Sequence, residues 1–453
     1  MILLDLPPEN LDHIASAIDS PAELGNLGAT CKLLHSIVSP NHTQYREIRA
    51  PMLSPVWKKL TENHALAQNV RVVEVQSTRF KKFHNRVDDP IVPVAYRDAE
   101  AIVEKGMDRS GSPEDRRAAK IAANLSAERI FVEALEAMVN LTSFHWSHTP
   151  TLIDPTKESS VWEVIARLDR ILHLHVIDVN FWTNFEEPYT IATMQQEIDD
   201  SACHRPTFNP KFFSLGCLKT FSLHTGAYSH ETSRNPGPDL ERLTTMLVHG
   251  CGPDLETLSL SIIGRGSPYR PHISALKESV LSRSWSHLTE LKLWEWVYAP
   301  EQLGLFLALH PTLERLTLSQ QSHYSCLAPS FPSQSLVLPN LRRICAYECG
   351  EHVVGAILHA KVYTPRPLEE IQSVTISHDF LDHLHQSGGG PLLKRLGIST
   401  ASRLIEDTPT FHGLIQRLAE VAPNLEVLTV DSKATLVRAV TLPGPQISLK
   451  LLL

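Results

Sequence analysis

Histidine is abundant in this sequence, with 23 copies, and several copies fall where chemistry could be done. If the local segments are strands, period-two alternation sends His145, His173 and His175 to one surface, with His224 one unit further along. Such a row could bind a metal or change charge near neutral pH, although solvated strand-face histidines are the expected reading. His378, His383 and His385 are read the same way. The seven cysteines (31, 203, 217, 251, 326, 345 and 349) are scattered and odd in number, which speaks against a disulfide framework and for a reducing compartment. Cys345 and Cys349 have no second pair to complete a zinc site. The glycine runs GCGPD at 250–254 and GRGSP at 264–268 lack nucleotide-loop spacing, and QSGGGPL at 386–392 reads as a flexible turn. No G-x-S-x-G, H-E-x-x-H or C-x-x-C occurs. The expectation is therefore no catalytic residue, no metal and no cofactor, with an enzyme the least favoured class.

Charge narrows the partners. With 42 basic and 50 acidic residues the net charge is −8, which argues against a strongly cationic nucleic-acid or membrane-surface binder. The run from Arg79 to His84 mixes basic and aromatic side chains but is short and isolated, so a solvated loop is expected. The turn Ser110-Gly-Ser112-Pro113 could be phosphorylated, a signal of little specificity. Recognition of a protein is better provided for. Alternation places Trp294 on a strand face with Trp296 following, and neighbouring segments add Arg315, Arg343 and Tyr347. Trp, Tyr and Arg are the residue types that dominate interface energies, so these five are candidate client-binding residues. The alternative is that LWEWVY packs beneath a loop.

The elements that would carry these side chains show as one recurring hexapeptide, apolar-x-x-apolar-x-apolar. Copies run Val70–Val75, Leu141–Trp146, Ile171–Val176, Leu218–Leu223, Leu255–Leu260 and Leu288–Leu293. Others run Leu313–Leu318, Leu341–Ala346, Ile371–Ile376, Leu393–Ile398 and Leu425–Val430. Helical spacing precedes many of them, as with Ile130, Phe131, Leu135 and Met138, or Leu414, Ile415, Leu418 and Val421. A helix and a short parallel strand, repeated, predict a leucine-rich-repeat horseshoe, most intervals being near or above the about 20–29 residues of that class. Long intervals mark surface insertions near 76–126, 183–212, 224–239 and 320–340.

The opening residues differ. Pro7 and Pro8 start a helix carrying Glu9, Leu11 and Ile14. Ser20-Pro21-Ala22-Glu23 is a capping box opening a second helix with Leu24 and Leu27, expected to break near Gly28. A third helix, from about Ala29 to Val38, presents Cys31 and Leu34. So small a unit leaves apolar surface for a partner or for the rest of the chain.

The segment LPPENLDHIASAIDSPAELGNLGATCKLLHSIV resembles the F-box, with Leu6, Pro7, Pro8, Glu9, Leu11, Ile14, Leu24, Leu27, Cys31 and Leu34 at its motif places. That resemblance implies docking onto the Skp-type adaptor of a cullin–RING ubiquitin ligase. With the repeats behind it, the chain resembles substrate receptors of SCF ligases. The expected fold is an α/β solenoid: a three-helix F-box over residues 1–50, then an irregular leucine-rich-repeat horseshoe of about eleven strands over 51–453. The function implied is recruitment of a client protein in the cytoplasm or nucleus. A binding scaffold with no ubiquitin role is the alternative. The apolar start is not expected to be a signal peptide, and no stretch reaches the about 18–20 apolar residues of a membrane span.

Overall fold

The computed structural model describes residues 3–18, 20–39, 41–76, 91–96, 112–147, 159–178, 210–225, 240–262, 270–294, 296, 298–319, 328–332, 337–347, 350–360, 362, 365–399, 408–431 and 448–452. The chain divides into two compact units, one of residues 1–218 with 224–246 and one of 219–223 with 247–453. The Arg79–His84 run, Ser110, Cys203, Cys326, Cys349, GRGSP and most of the expected insertions lie outside the described residues.

The first unit opens with helices α1 (Pro8–Ala17), α2 (Pro21–Thr30), α3 (Lys32–Val38) and α4 (Asn41–Gln44), followed by strand β1 (Glu47–Pro51). Next come α5 (Pro55–Glu62), α6 (His64–Ala67), β2 (Val72–Gln76), α7 (Pro113–Ala137), β3 (Ser143–Trp146), α8 (Val161–Arg167) and β4 (His173–Asp178). β5 (Thr220–Thr225) follows, its residues 220–223 counted with the second unit, and then α9 (Leu240–Thr245) of the first. The second unit holds β6 (Thr257–Ile262), α10 (Arg270–Leu281), β7 (Glu290–Trp294), α11 (Pro300–Ala308), β8 (Arg315–Ser319), β9 (Arg343–Tyr347) and α12 (Gly350–His359). It ends with β10 (Glu370–Val374), α13 (His378–Gln386), β11 (Arg395–Ser399), α14 (Thr408–Val421), β12 (Val427–Asp431) and β13 (Ser448–Leu452).

Serine caps start many of these helices. Ser20, Ser112, Ser160 and Ser377 each accept the N–H three residues on, at 3.0–3.3 Å, which relieves one of the unpaired amide donors of a helix start. The hexapeptides fall on β2 to β12, and alternation decides what they bury: Leu291 and Leu293, Leu316 and Leu318, Leu396 and Ile398 are at most 1 % exposed. The first unit's core is aromatic, with Trp57 against Phe131 at 4.9 Å and Trp162 against Phe212 at 5.2 Å, both edge-to-face.

Pairing is parallel and follows chain order from β1 to β4 in the first unit and from β6 to β13 in the second. The sheet is stitched at the strand entries. Leu141, Leu288, Leu313 and Leu425 each donate to the carbonyl three residues back. Just ahead of such leucines, Asn140, Asn340 and Asn424 donate side-chain amides to Gln68 O, Pro311 O and Pro391 O of the preceding turn, at 2.8–3.1 Å.

The expected fold, a three-helix F-box standing ahead of a leucine-rich-repeat horseshoe, is corrected. Helices are not gathered at the amino terminus; they alternate with strands through to α14, in an all-parallel α/β arrangement. The segment assigned to the opening module already contains β1, and its helices are gripped by the sheet. Arg46, just before β1, donates to Ala15 O (2.8 Å), Ser16 O (3.0 Å) and Ile18 O (2.7 Å), while Arg71, before β2, reaches Ser16 O at 3.0 Å. Apolar spacing reports that a short segment is buried and says nothing about what covers it.

Smaller differences have local causes. α2 runs through Gly28 to Thr30, and extended backbone at Cys31 (φ −158°) delays the third helix to Lys32. At β10 the first buried leucine equivalent to Leu341 is Leu368, not Ile371: Glu370 pairs with Arg343, and a bulge at Ser373 (φ 58°) inserts one residue. That extra residue disguises the hexapeptide. QSGGGPL is an ordered helix end in which Gly388 takes the left-handed conformation (φ +66°) after α13.

Candidate functional site

On the opening helices the expected docking residues separate into two faces. Leu11, Leu24 and Leu34 are at most 3 % exposed; Leu24 clusters with Ala15 and Val38, and Leu27 packs half-buried against that cluster. They are therefore core, a correction to their assignment as docking residues. Leu6 and Cys31 are half-buried, Pro7, Pro8 and Glu9 are exposed, and Ile14 is 37 % exposed. Leu3, Leu4 and Leu33, outside the expected set, are also turned outward, at 43 %, 47 % and 41 % exposed. The doublet Leu33-Leu34 carried the signal, since successive helical residues lie about 100° apart and only one can point inward. Buried His42 ties α4 to α1 through Asp12 at 2.8 Å.

The strand face of the second unit collects charged and aromatic side chains in rows set by register. One row runs Glu290, Arg315, Arg343, Glu370, Arg395 across β7 to β11. Glu290 meets Lys292 at 2.7 Å and Arg315 at 3.0 Å, and Glu370 meets Arg343 at 3.3 Å and Arg395 at 4.0 Å. Four residues along the strands, Trp294 stacks with Tyr347 (5.0 Å between centroids, 28° between planes), although β8 lies between their strands. Four of the five expected client-binding residues thus share this face. Trp296 does not: it is 3 % exposed, its backbone N–H donates to Ser319 O at 3.2 Å, and Lys277 Nζ lies 5.8 Å from its ring. Leaving the strand after Trp294 turns it into the core.

Cys345 sits between these rows, and burial pushes its thiol up to about 11 against the opposing effect of its hydrogen bonds with Tyr347 and Ser373, so it stays protonated. Burial also pushes Cys251 up to about 12.

In the first unit, register brings His145 beside His175 (4.2 Å between centroids), with Glu74 and Arg49 continuing the row. His145 shares a 3.0 Å hydrogen bond with Ser143, and burial, with Arg49 and His173 adding positive charge nearby, pushes its imidazole down to about 4. A neutral ring at ordinary pH is the result. His378, His383 and His385 are on helix α13 and not on a strand, a second correction; His383 is hydrogen-bonded to His359, and Arg417 reaches both His378 and Asp382. Among the described residues no three His, Cys, Asp or Glu side chains are grouped to hold a metal, and no helix is long and apolar enough to cross a membrane.

No protein-family model matches this chain, and no curated protein is detectably similar to it.

Proposed function

We propose that this chain is a non-catalytic adaptor that brings a client protein to a cullin–RING ligase of the SCF type, in the cytoplasm or nucleus. The opening helices would dock the Skp-type adaptor, and the strand face of the second unit would hold the client. The contribution is proximity, raising the effective concentration of client lysines near the ubiquitin-charged enzyme. One observation carries the proposal: within the segment that resembles the F-box Ile14 and Leu33 are turned outward, as are Leu3 and Leu4 just ahead of it, while Leu11, Leu24 and Leu34 are already buried. The outward set is free to meet a partner without unfolding the module.

The test mixes the full chain with a purified Skp-type adaptor at micromolar concentration and follows size exclusion. Co-elution is expected, and Ile14→Asp with Leu33→Asp should abolish it while leaving the circular dichroism spectrum unchanged. Co-elution that survives the double substitution would reject this docking face. A scaffold without a ubiquitin role is the second reading, favoured by the grip of Arg46 and Arg71 on α1, which makes the opening helices part of the body. Absence of co-elution with the unsubstituted chain supports it.

A further inference from the structure

The row on the second unit's face places two arginines directly in register, Arg315 beside Arg343, each drawn outward to its own carboxylate. Like charges opposite one another on neighbouring strands are destabilising, so folding alone does not favour this pair. The flanking carboxylates lie low, with Glu290 and Glu370 side chains 13 % and 11 % exposed, whereas Arg315, Arg343 and Arg395 are 46 %, 56 % and 57 % exposed. An approaching molecule therefore meets guanidinium. Lys292, Arg315, Arg343 and Arg395 set four cations against those two carboxylates, on a chain whose net charge is −8. The row one residue earlier is internally matched, Arg342 lying between Glu314 and Glu369 and Lys394 beside Glu369.

The aromatic pair gives the second anchor. From Arg315 to Ser319 and from Arg343 to Tyr347 is four residues, so the stacked Trp294–Tyr347 pair lies roughly 13 Å along the strands from the arginines. Residues i and i+4 of an extended peptide lie on one side at the same spacing. Strands about 4.8 Å apart set the two arginine stems side by side, so that both long side chains can turn from Glu290 and Glu370 to one carboxylate placed above them.

We propose that this face binds an extended acidic segment of a partner protein, with an Asp or Glu carboxylate bridging Arg315 and Arg343 and an aromatic side chain four residues away on Trp294 and Tyr347. The inference rests on the client-receptor reading above and names the client's chemistry.

The test is fluorescence anisotropy of the full chain with a labelled Gly-Glu-Ser-Ser-Ser-Phe-Gly peptide. Binding with a dissociation constant below about 1 mM is expected, weakening at least about tenfold from ~50 to ~500 mM NaCl. Replacing the peptide's Glu by Gln, or its Phe by Ser, should each weaken it at least about fivefold, as should Arg315→Ser with Arg343→Thr. The peptide controls use the unsubstituted protein and stand even if a variant misfolds. No binding, or equal binding of the Gln peptide, overturns the proposal. So does tighter binding of a phosphoserine peptide or of oligo-dT, which would assign the face to a phosphate or to nucleic acid. Adaptor co-elution measured on the same preparation separates the two ideas: co-elution without peptide binding rejects only the acidic segment, and peptide binding without co-elution rejects only the ligase role.

Discussion

Replacing Arg46 by methionine tests whether the opening helices belong to the body of the first unit. Arg46 is 3 % exposed and its guanidinium donates to Ala15 O, Ser16 O and Ile18 O at 2.7–3.0 Å, with Asn69 O at 3.4 Å. Its own carbonyl accepts the N–H groups of Arg71 and Val72, so one residue joins the end of α1 to the sheet. The last carbonyls of a helix have no partner within it, and a charged donor serves them best. Methionine keeps the length and apolar stem of arginine but donates nothing. Ser16 O retains Arg71, and Ala15 O retains the Ile18 N–H at 3.2 Å, so Ile18 O bears most of the loss. Bonds to a charged donor contribute about 1.5–3 kcal/mol each, offset in part because a buried guanidinium is no longer desolvated. The net expectation is about 3 kcal/mol, and Arg46→Lys should lose about half of that. Hydrogen exchange read by mass spectrometry over residues 8–38 is the assay, since a chain of two units need not unfold in one step. Protection there should fall about 100-fold, the equivalent of about 3 kcal/mol. A fall of less than about fivefold would refute the reasoning, showing that the helices hold themselves together without the sheet.

Further expectations concern pH and packing. His145 has its pKa lowered from 6.5 to about 4, so the folded state resists a proton that the unfolded chain accepts. The stability is fully present above pH 6.5 and is lost as pH falls from there toward 4, by at most about 3 kcal/mol. His310 adds in the same direction through burial, its Nε2 accepting the Trp285 N–H at 3.0 Å. Melting temperature against pH should therefore fall less steeply in His145→Asn than in the unsubstituted chain, and parallel curves would contradict the assignment. Gly390→Ala would place a Cβ 2.2 Å from Val421 O and should destabilise the second unit by ~2 kcal/mol or more in urea unfolding, because backbone must move. Gly413→Ala, inside α14 with nothing within 4 Å of the new Cβ, should instead stabilise by about 0.5–1 kcal/mol in the same measurement. Arg343→Thr should cost about 1 kcal/mol in unfolding, since relief of a like-charge neighbour only partly offsets the lost ion pair to low-lying Glu370, which keeps Gln372 and Arg395.

Much of the local structure was legible residue by residue. Leu313, Leu316 and Leu318 announce a strand whose intervening Arg315 and Thr317 face outward, because alternation is a property of extended backbone alone. Ser20 and Glu23 announce a helix start for the same local reason. Strand β1 was not legible: Glu-Ile-Arg-Ala-Pro carries only Ile48 and Ala50 inward and lacks the leucine pattern. The bulge at Ser373 and the burial of Trp296 were hidden because each depends on what packs against it. The outward apolar face of α1 was half legible, since Leu11 and Ile14 look alike in sequence and differ only in which one is buried.

By itself, then, the sequence determined where the leucine-patterned segments extend and which of their alternating side chains turn inward, consequences of backbone periods within a few residues. Tertiary structure alone decided that Arg315 lies beside Arg343, that Trp294 reaches Tyr347 across an intervening strand, and that Arg46 clamps a helix about thirty residues earlier. Register and enclosure are settled by contacts between residues distant in sequence, and no local period encodes them.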